Sequence, residues 1–248
     1  MSFLICIPAR YASSRLPGKA LLKIGEKTLI RCVYEKCLKT SAEDIIVATD
    51  DSRIVQEVES FGGRACLTSN SIQSGSDRVS AATGLLGVSE DTILVNVQGD
   101  EPFMSPRVIE QIAKGVSHDR KSVHTVCASI GELAGADPNV VKVVRDKFNR
   151  ALYFSRARIP WLEADGKNSM SSRQFLKHIG IYGYTVGLLK KFVSTPPGDL
   201  ENFERLEQLR FLYQGISIIV EDAVEDCGIG VDTLEDYKKA CETHESNI

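Results

Sequence analysis

Apolar and polar positions follow two rhythms along this chain. Leu4, Ile5, Cys6 and Ile7 form an unbroken apolar run, the pattern of a strand buried on both faces of a parallel sheet. Leu29, Ile30, Val33, Tyr34, Cys37 and Leu38 then recur at helical spacing, which predicts an amphipathic helix over 27–39 lying on that sheet. The apolar run at 44–49 is the next strand. Asp50-Asp51 is a cap signal, and Ile54, Val55 and Val58 mark a second helix that Phe61-Gly62-Gly63 ends. Ala65-Cys66-Leu67 is a short strand, Gln73 to Arg78 a polar loop running into a helix, and 92–97 a central strand. This βαβ order predicts an α/β fold with a mostly parallel sheet and helices on both faces.

Beyond residue 137 the pattern changes. Residues 151–161 read as an alternating strand ending in a basic, aromatic turn, and 166–173 as a polar, mobile loop. In 175–184, His178, Gly180, Tyr182 and Tyr184 share one face of a strand, a row of hydrogen-bonding side chains suited to a polyhydroxylated ligand. Leu200, Phe203, Leu206, Leu209 and Tyr213 predict one helix with a buried apolar face, leaving Glu207, Gln208 and Arg210 around its other faces and Glu204 and Arg205 in solvent.

Composition narrows the partners. At 248 residues the chain can hold one large domain, or a domain with a substantial insertion. Its 25% charged and 43% apolar residues are ordinary globular values, and a net charge of −3 makes no electrostatic case for nucleic acid or a membrane surface. Seven cysteines are scattered without a Cys-x-x-Cys, and Cys6, Cys32, Cys37 and Cys66 fall in apolar runs, so they read as reduced core residues of a cytoplasmic protein. Met1-Ser2 leads into the first strand without a signal peptide, and no apolar stretch approaches the ~20 residues of a membrane span.

Candidate chemistry gathers in three places. Straight after the first strand, Pro8-Ala9-Arg10 and Leu16-Pro17-Gly18-Lys19 form a loop whose cations, Arg10, Arg15 and Lys19, can converge on phosphates. It is no P-loop, since position 13 is Ser, and the dinucleotide glycine fingerprint is missing. After the central strand comes Val97-Gln98-Gly99-Asp100-Glu101-Pro102, a carboxylate beside a flexible Gly at a strand end, the type of group that holds Mg²⁺ together with phosphate oxygens. Near the far end, Gly230-Val231-Asp232-Thr233 places a second Asp before a helix that Thr233 caps.

These motifs, in this order, resemble the cytidylyltransferases that act on 3-deoxy-D-manno-octulosonate (Kdo), and the resemblance runs from Ile7 to Asp236. It implies a nucleotidyltransferase-type, Rossmann-like fold as a single domain over 1–248, with 151–213 as a sugar-binding and dimerisation insertion. It also implies transfer of a cytidylyl group from CTP to the sugar acid, with Mg²⁺ as cofactor, for lipopolysaccharide assembly by a cytoplasmic homodimer. Carried over by residue, Asp100 and Asp232 become the metal ligands, with a second Mg²⁺ riding on the phosphates. Arg10, Arg15 and Lys19 neutralise the triphosphate, and Pro8, Ala9, Gln73, Ser74 and Gly75 border the cytosine. Gln98, His178, Tyr182, Tyr184, Glu207 and Gln208 contact the sugar, Arg156 meets its carboxylate, and Arg78 touches phosphate or sugar. The chain departs from the family pattern at Ser76-Asp77 (Thr then an acid), at Gly198-Asp199 (Ser-Pro) and at Leu234 (Pro).

Other substrates fit the same scaffold. The 8-amino-3,8-dideoxy analogue (8-amino-Kdo) differs by one contact, and sialic acid fits the His-Ile-Gly-Ile-Tyr and Leu-Glu-Gln-Leu-Arg strings less well. A glycosyltransferase would require an Asp-x-Asp motif, which Gly99-Asp100-Glu101 lacks, and a non-catalytic nucleotide-binding regulator would have no use for Lys19, Asp100 and Asp232 together.

Overall fold

The computed structural model describes residues 1–13, 15–161 and 175–245; the loop expected at 166–173 lies outside them. In chain order the elements are β1 (Leu4–Ala9), a 3₁₀ turn (Lys19–Leu21), β2 (Lys23–Ile24), β3 (Lys27–Thr28), α1 (Leu29–Cys37), β4 (Asp44–Thr49), α2 (Ser52–Ser60), β5 (Arg64–Leu67), α3 (Gly75–Leu85) and β6 (Ile93–Asn96). There follow α4 (Pro106–His118), β7 (Val123–Ile130), α5 (Glu132–Ala136), β8 (Lys142–Arg145), β9 (Ala151–Ser155), β10 (Phe175–Thr185), α6 (Val186–Val193), α7 (Asp199–Glu204), α8 (Leu209–Tyr213), β11 (Ile218–Asp222) and α9 (Leu234–Glu245).

Nine strands form one sheet in the order β11-β7-β10-β6-β1-β4-β5, with β8 and β9 branching from β10. The half built from β6, β1, β4 and β5 is parallel. In the other half β10 runs antiparallel to β6, β7 and β8, so the sheet is mixed. Residues 151–213 therefore contribute an internal strand, with β10 lying between β6 and β7. From β1 the chain crosses first to β4 and later to β6 on the opposite side, and the connection reverses between β1 and β6. A crevice opens beyond the carboxyl ends of strands at such a reversal, and ligands bind there.

Alternation along β1 explains the layers. Ile5 and Ile7 join the core formed with α1, α2 and α4, whereas Cys6 points to the core formed with α3, α6 and α8, so both faces are covered. Local chemistry sets the helix starts: Thr28, Asp51, Ser74, Ser105 and Thr185 each accept a hydrogen bond from a backbone N–H in the first turn. All seven cysteines are free, and burial pushes the Cys37 thiol up to about 12. No helix of the described residues is long and apolar enough to cross a membrane.

The helix expected across 200–213 is broken in two. Arg205 adopts the left-handed conformation (φ 53°, ψ 48°), separating α7 from α8. A continuous helix would set Glu201 and Arg210 about 13 Å apart along its axis. The break instead brings them into a buried pair, with Arg210 Nε 2.7 Å and Nη2 2.5 Å from the two carboxylate oxygens. Burying charge requires a partner of this kind. As a result Leu206 and Leu209 are buried but Phe203 and Tyr213 stay exposed, and Glu204 turns inward to bind Ser155 and the Arg156 backbone N–H.

Candidate functional site

The loop after β1 folds back on itself through one carbonyl. Tyr11 O accepts from Ser13 N (2.9 Å) and Gly18 N (2.8 Å), and Gly18 sits at φ +69° with the Tyr11 ring against it, a conformation that favours glycine. This closure places Arg10, Ser13, Arg15 and Lys19 around a cleft of about 230 Å³ at the carboxyl end of β1. Pro8 and Ala9 form one wall, and Gln73, Ser74 and Gly75 at the start of α3 face them. Every residue expected at the nucleotide lies on this cleft. Arg10 donates to Gln73 O (3.3 Å), linking the two walls.

The turn after β6 closes the floor. Gly99 passes so near β1 that a Cβ would lie 2.8 Å from Pro8 O, so a side chain at 99 would displace the turn. Val231 N donates to Asp100 O (2.8 Å), stitching the loop before α9 to this turn. The stitch brings Asp100 and Asp232 together: Lys19 Nζ lies 2.5 Å from Asp100 Oδ2, 3.0 Å from Asp232 Oδ1 and 3.1 Å from Val231 O. Burial works to lower the Lys19 ammonium, but the charges and hydrogen bonds of the two aspartates outweigh it and hold it above its ordinary value. Arg15 reaches the other oxygen of Asp232 at 3.0 Å. Beneath them burial and then the Asp100 charge push the Glu101 carboxyl up to about 8. Thr233 and Asp236 bond reciprocally, Asp236 N to Thr233 Oγ1 at 3.2 Å and Thr233 N to Asp236 Oδ2 at 2.9 Å, which caps α9 and steadies Asp232.

Two carboxylates that converge beside the Lys19 ammonium on the lining of this cleft are a donor set that fits a divalent ion such as Mg²⁺, which takes one or two carboxylates and fills its remaining positions with phosphate oxygens and water.

A second recess, also about 230 Å³, opens beside the first and shares Gly75, Gln98 and Glu207 with it. Tyr182, Tyr184 and Gly180 of β10 form its back, and Glu207 and Gln208, between α7 and α8, its side. The Tyr184 hydroxyl accepts from Asn96 Nδ2 (3.1 Å), and Gln98 Nε2 donates to Asn96 Oδ1 (3.2 Å), so Asn96 orients two lining residues at once. A polar residue closing the apolar run of β6 was the available signal for Asn96. For Ser13, Phe192, Arg205 and Phe211, which also border the recesses, the linear pattern carried no signal.

Two residues, His178 and Arg156, take other positions than expected, and Arg78 stands at the cleft with its guanidinium engaged by the protein. His178 does not line either recess. It keeps the face of Tyr182 and Tyr184, as the alternation predicts, but is buried there: the imidazole packs against Phe154 (4.9 Å between centroids) and Tyr182 (5.4 Å) with Nε2 3.1 Å from Thr125 Oγ1. Arg156 is turned away: its Nε donates to Glu204 O (2.9 Å) and Nη1 to Pro138 O (3.2 Å), while buried Lys142 holds its carbonyl at 2.6 Å. Arg78 borders the cleft but is 2% exposed and spends its guanidinium on Thr68 Oγ1 (2.7 Å), Ile72 O (2.8 Å) and Asp50 (3.0 Å), bracing the 69–75 loop.

His178 has a measurable consequence. Burial, then the nearby Lys177 charge, lowers its imidazole to about 3. The unfolded chain takes up a proton near 6.5 whereas the folded ring stays neutral, so stability is fully present above that value and is lost as pH falls toward 3. Between pH 7 and pH 5 this residue should remove about 2 kcal/mol. Urea unfolding at both pH values should show a smaller difference in His178→Gln; equal differences would place the titration elsewhere.

Comparison with known proteins adds the context. The chain matches the cytidylyltransferase family over residues 4–218. It is 44% identical over 241 residues to the 3-deoxy-manno-octulosonate cytidylyltransferase of Vibrio vulnificus (strain YJ016), covering 96% of each chain. With the enzyme of the same name from Thioalkalivibrio sulfidiphilus (strain HL-EbGR7) it shares 46% over 243 residues, 96% of this chain and 97% of that one. A solved CMP:2-keto-3-deoxy-manno-octonic acid synthetase complexed with CTP superposes with a TM-score of 0.90 at 40% identity, covering 100% and 99% of the two chains. The 4-diphosphocytidyl-2C-methyl-D-erythritol synthase of Anaerococcus prevotii, at 12% identity and a TM-score of 0.62, shares the fold.

Proposed function

The chain belongs to the 3-deoxy-manno-octulosonate cytidylyltransferase family, and from that premise we infer that it transfers the cytidylyl group of CTP to the anomeric hydroxyl of Kdo, releasing pyrophosphate. The observation that carries this reading is the pair of recesses meeting at Gly75, Gln98 and Glu207, one lined by cations and aspartates, the other by hydroxyl, amide and carboxylate groups.

The chemistry follows from charge. As the sugar oxygen attacks the α-phosphorus, negative charge builds on the phosphoryl and leaving oxygens, so the site needs cations and alignment rather than a covalent nucleophile. Arg10, Arg15 and Lys19 meet that charge, and the backbone around Pro8, Ala9 and Gln73 to Gly75 faces a pyrimidine with little bulk in the way. Glu207, Gln208, Gln98, Tyr182 and Tyr184 hold the sugar's hydroxyls, bringing the attacking oxygen to the seam between the recesses. Asp100 and Asp232 would hold Mg²⁺, which when bound supplies Lewis-acid charge at the reacting phosphate.

The test is pyrophosphate release with CTP and Mg²⁺, offering Kdo, 8-amino-Kdo and N-acetylneuraminate at matched concentration. Preference for Kdo supports the reading. Preference for the amino sugar keeps the mechanism and moves specificity to the sugar's far end, and inactivity with all three sinks it.

The product is an activated sugar acid, and we place the enzyme in the cytoplasm, feeding lipopolysaccharide assembly. A C2 homodimer accompanies this reading: Phe148, Leu152, Trp161, Phe203 and Tyr213 are exposed in and beside 151–213, the kind of apolar surface that a partner subunit covers. Light scattering at micromolar concentration should return twice the chain's 27.3 kDa, and a monomer mass would refute the assignment.

A further inference from the structure

The Ser76 hydroxyl lies 2.9 Å from Glu207 Oε2, a bond between positions 131 residues apart in sequence. Ser76 stands in the first turn of α3, directly after Ser74 and Gly75 of the nucleotide cleft, and itself lines the second recess. Glu207 borders both recesses. Among the described residues Ser76 is the hydrogen-bond donor to this carboxylate, so one oxygen is held from the first turn of α3, where the two recesses adjoin, and the other stays available to a ligand.

We propose that Ser76 is a positioning residue that couples the two substrates: its hydroxyl fixes Glu207 at the seam, so that nucleotide seated on the start of α3 sets the carboxylate that holds the sugar. This rests on the cytidylyltransferase reading and deepens it. A helix-start role does not require this hydroxyl, because Ser74 Oγ already caps α3 by accepting from Asp77 N (3.0 Å). Nor does packing require it, since Ser76 is only half-buried and its loss opens no cavity in the core.

The bond also favours the charged form of Glu207. Burial raises that carboxyl, and the Ser76 bond opposes the rise. Asp77 of α3, Glu201 before the Arg205 break, Arg210 of α8 and the hydroxyls of Tyr182 and Tyr184 of β10 are the other groups whose charge or ionisation it feels.

Steady-state pyrophosphate release with CTP and Kdo varied separately tests the proposal. In Ser76→Ala the KM for the sugar should rise about tenfold while the KM for CTP and kcat stay within about threefold of wild type. The acid limb of kcat/KM for the sugar should move to higher pH, because the carboxylate loses the donor that favoured its charge. Ser76→Thr, which keeps the hydroxyl, should restore wild-type values. An unchanged sugar KM, an equal rise in both KM values, or failure of Thr to rescue would overturn the coupling. If wild type itself releases no pyrophosphate, the cytidylyltransferase reading fails; an active wild type with an indifferent Ser76→Ala removes only the role of Ser76.

Discussion

Replacing Asp100 by Asn should lower pyrophosphate release by about a thousandfold, the upper range for losing one electrostatic group that acts on transition-state charge. Asn preserves the shape of the side chain and leaves the backbone bond from Val231 N to Asp100 O in place, so the turn should hold. What is lost is one of the two negative charges that converge beside Lys19, and with it one of the two carboxylates that would hold Mg²⁺. Far-ultraviolet circular dichroism and the thermal midpoint should match wild type. Near wild-type turnover at saturating Mg²⁺ would refute the proposed metal role of Asp100.

Lys19→Ala is expected to cost about a hundredfold in kcat/KM for CTP. From the sequence, its loss reads as a weakening of CTP use. The structure broadens this, because Lys19 also lies between Asp100 and Asp232 and is held above its ordinary pKa by them. Without the ammonium the two carboxylates lose the cation that both of them bind, beside the proposed triphosphate site, so kcat should fall as KM rises. Titrating CTP at fixed sugar separates the two effects. Unchanged CTP affinity together with unchanged turnover would sink the phosphate-loop assignment.

The elements that the sequence made legible are those whose causes lie within a few residues. The apolar run of β1 predicts a buried strand because both faces must be covered, and Asp51 caps α2 because its side chain reaches a backbone N–H two positions away. The reciprocal bonds of Thr233 and Asp236 are of the same short reach. Asp100 and Asp232 were paired through family resemblance. The physical link between them, a backbone bond from Val231 to Asp100, has no local trace in either segment.

Where the expectation and the structure part, a distant partner is responsible. The helical spacing across 200–213 is real, but a buried Glu201 needed Arg210, and the left-handed turn at Arg205 broke the helix to join them. His178 sits in the predicted strand and on the predicted face, yet Phe154 and the Thr125 hydroxyl, from other strands, enclose its ring. Arg156 follows β9 as expected, but the carbonyls of Glu204 and Pro138 claim its guanidinium. Sequence by itself determined the strand and helix order, the caps, the cation-rich loop and the two aspartate turns, because periodicity, capping and strand-end chemistry are short-range. Tertiary structure alone decided which carboxylates face one another, which polar side chains line a recess and which are consumed within the protein. Those outcomes depend on hydrogen-bond and ion-pair partners far along the chain, which meet only when the sheet has assembled.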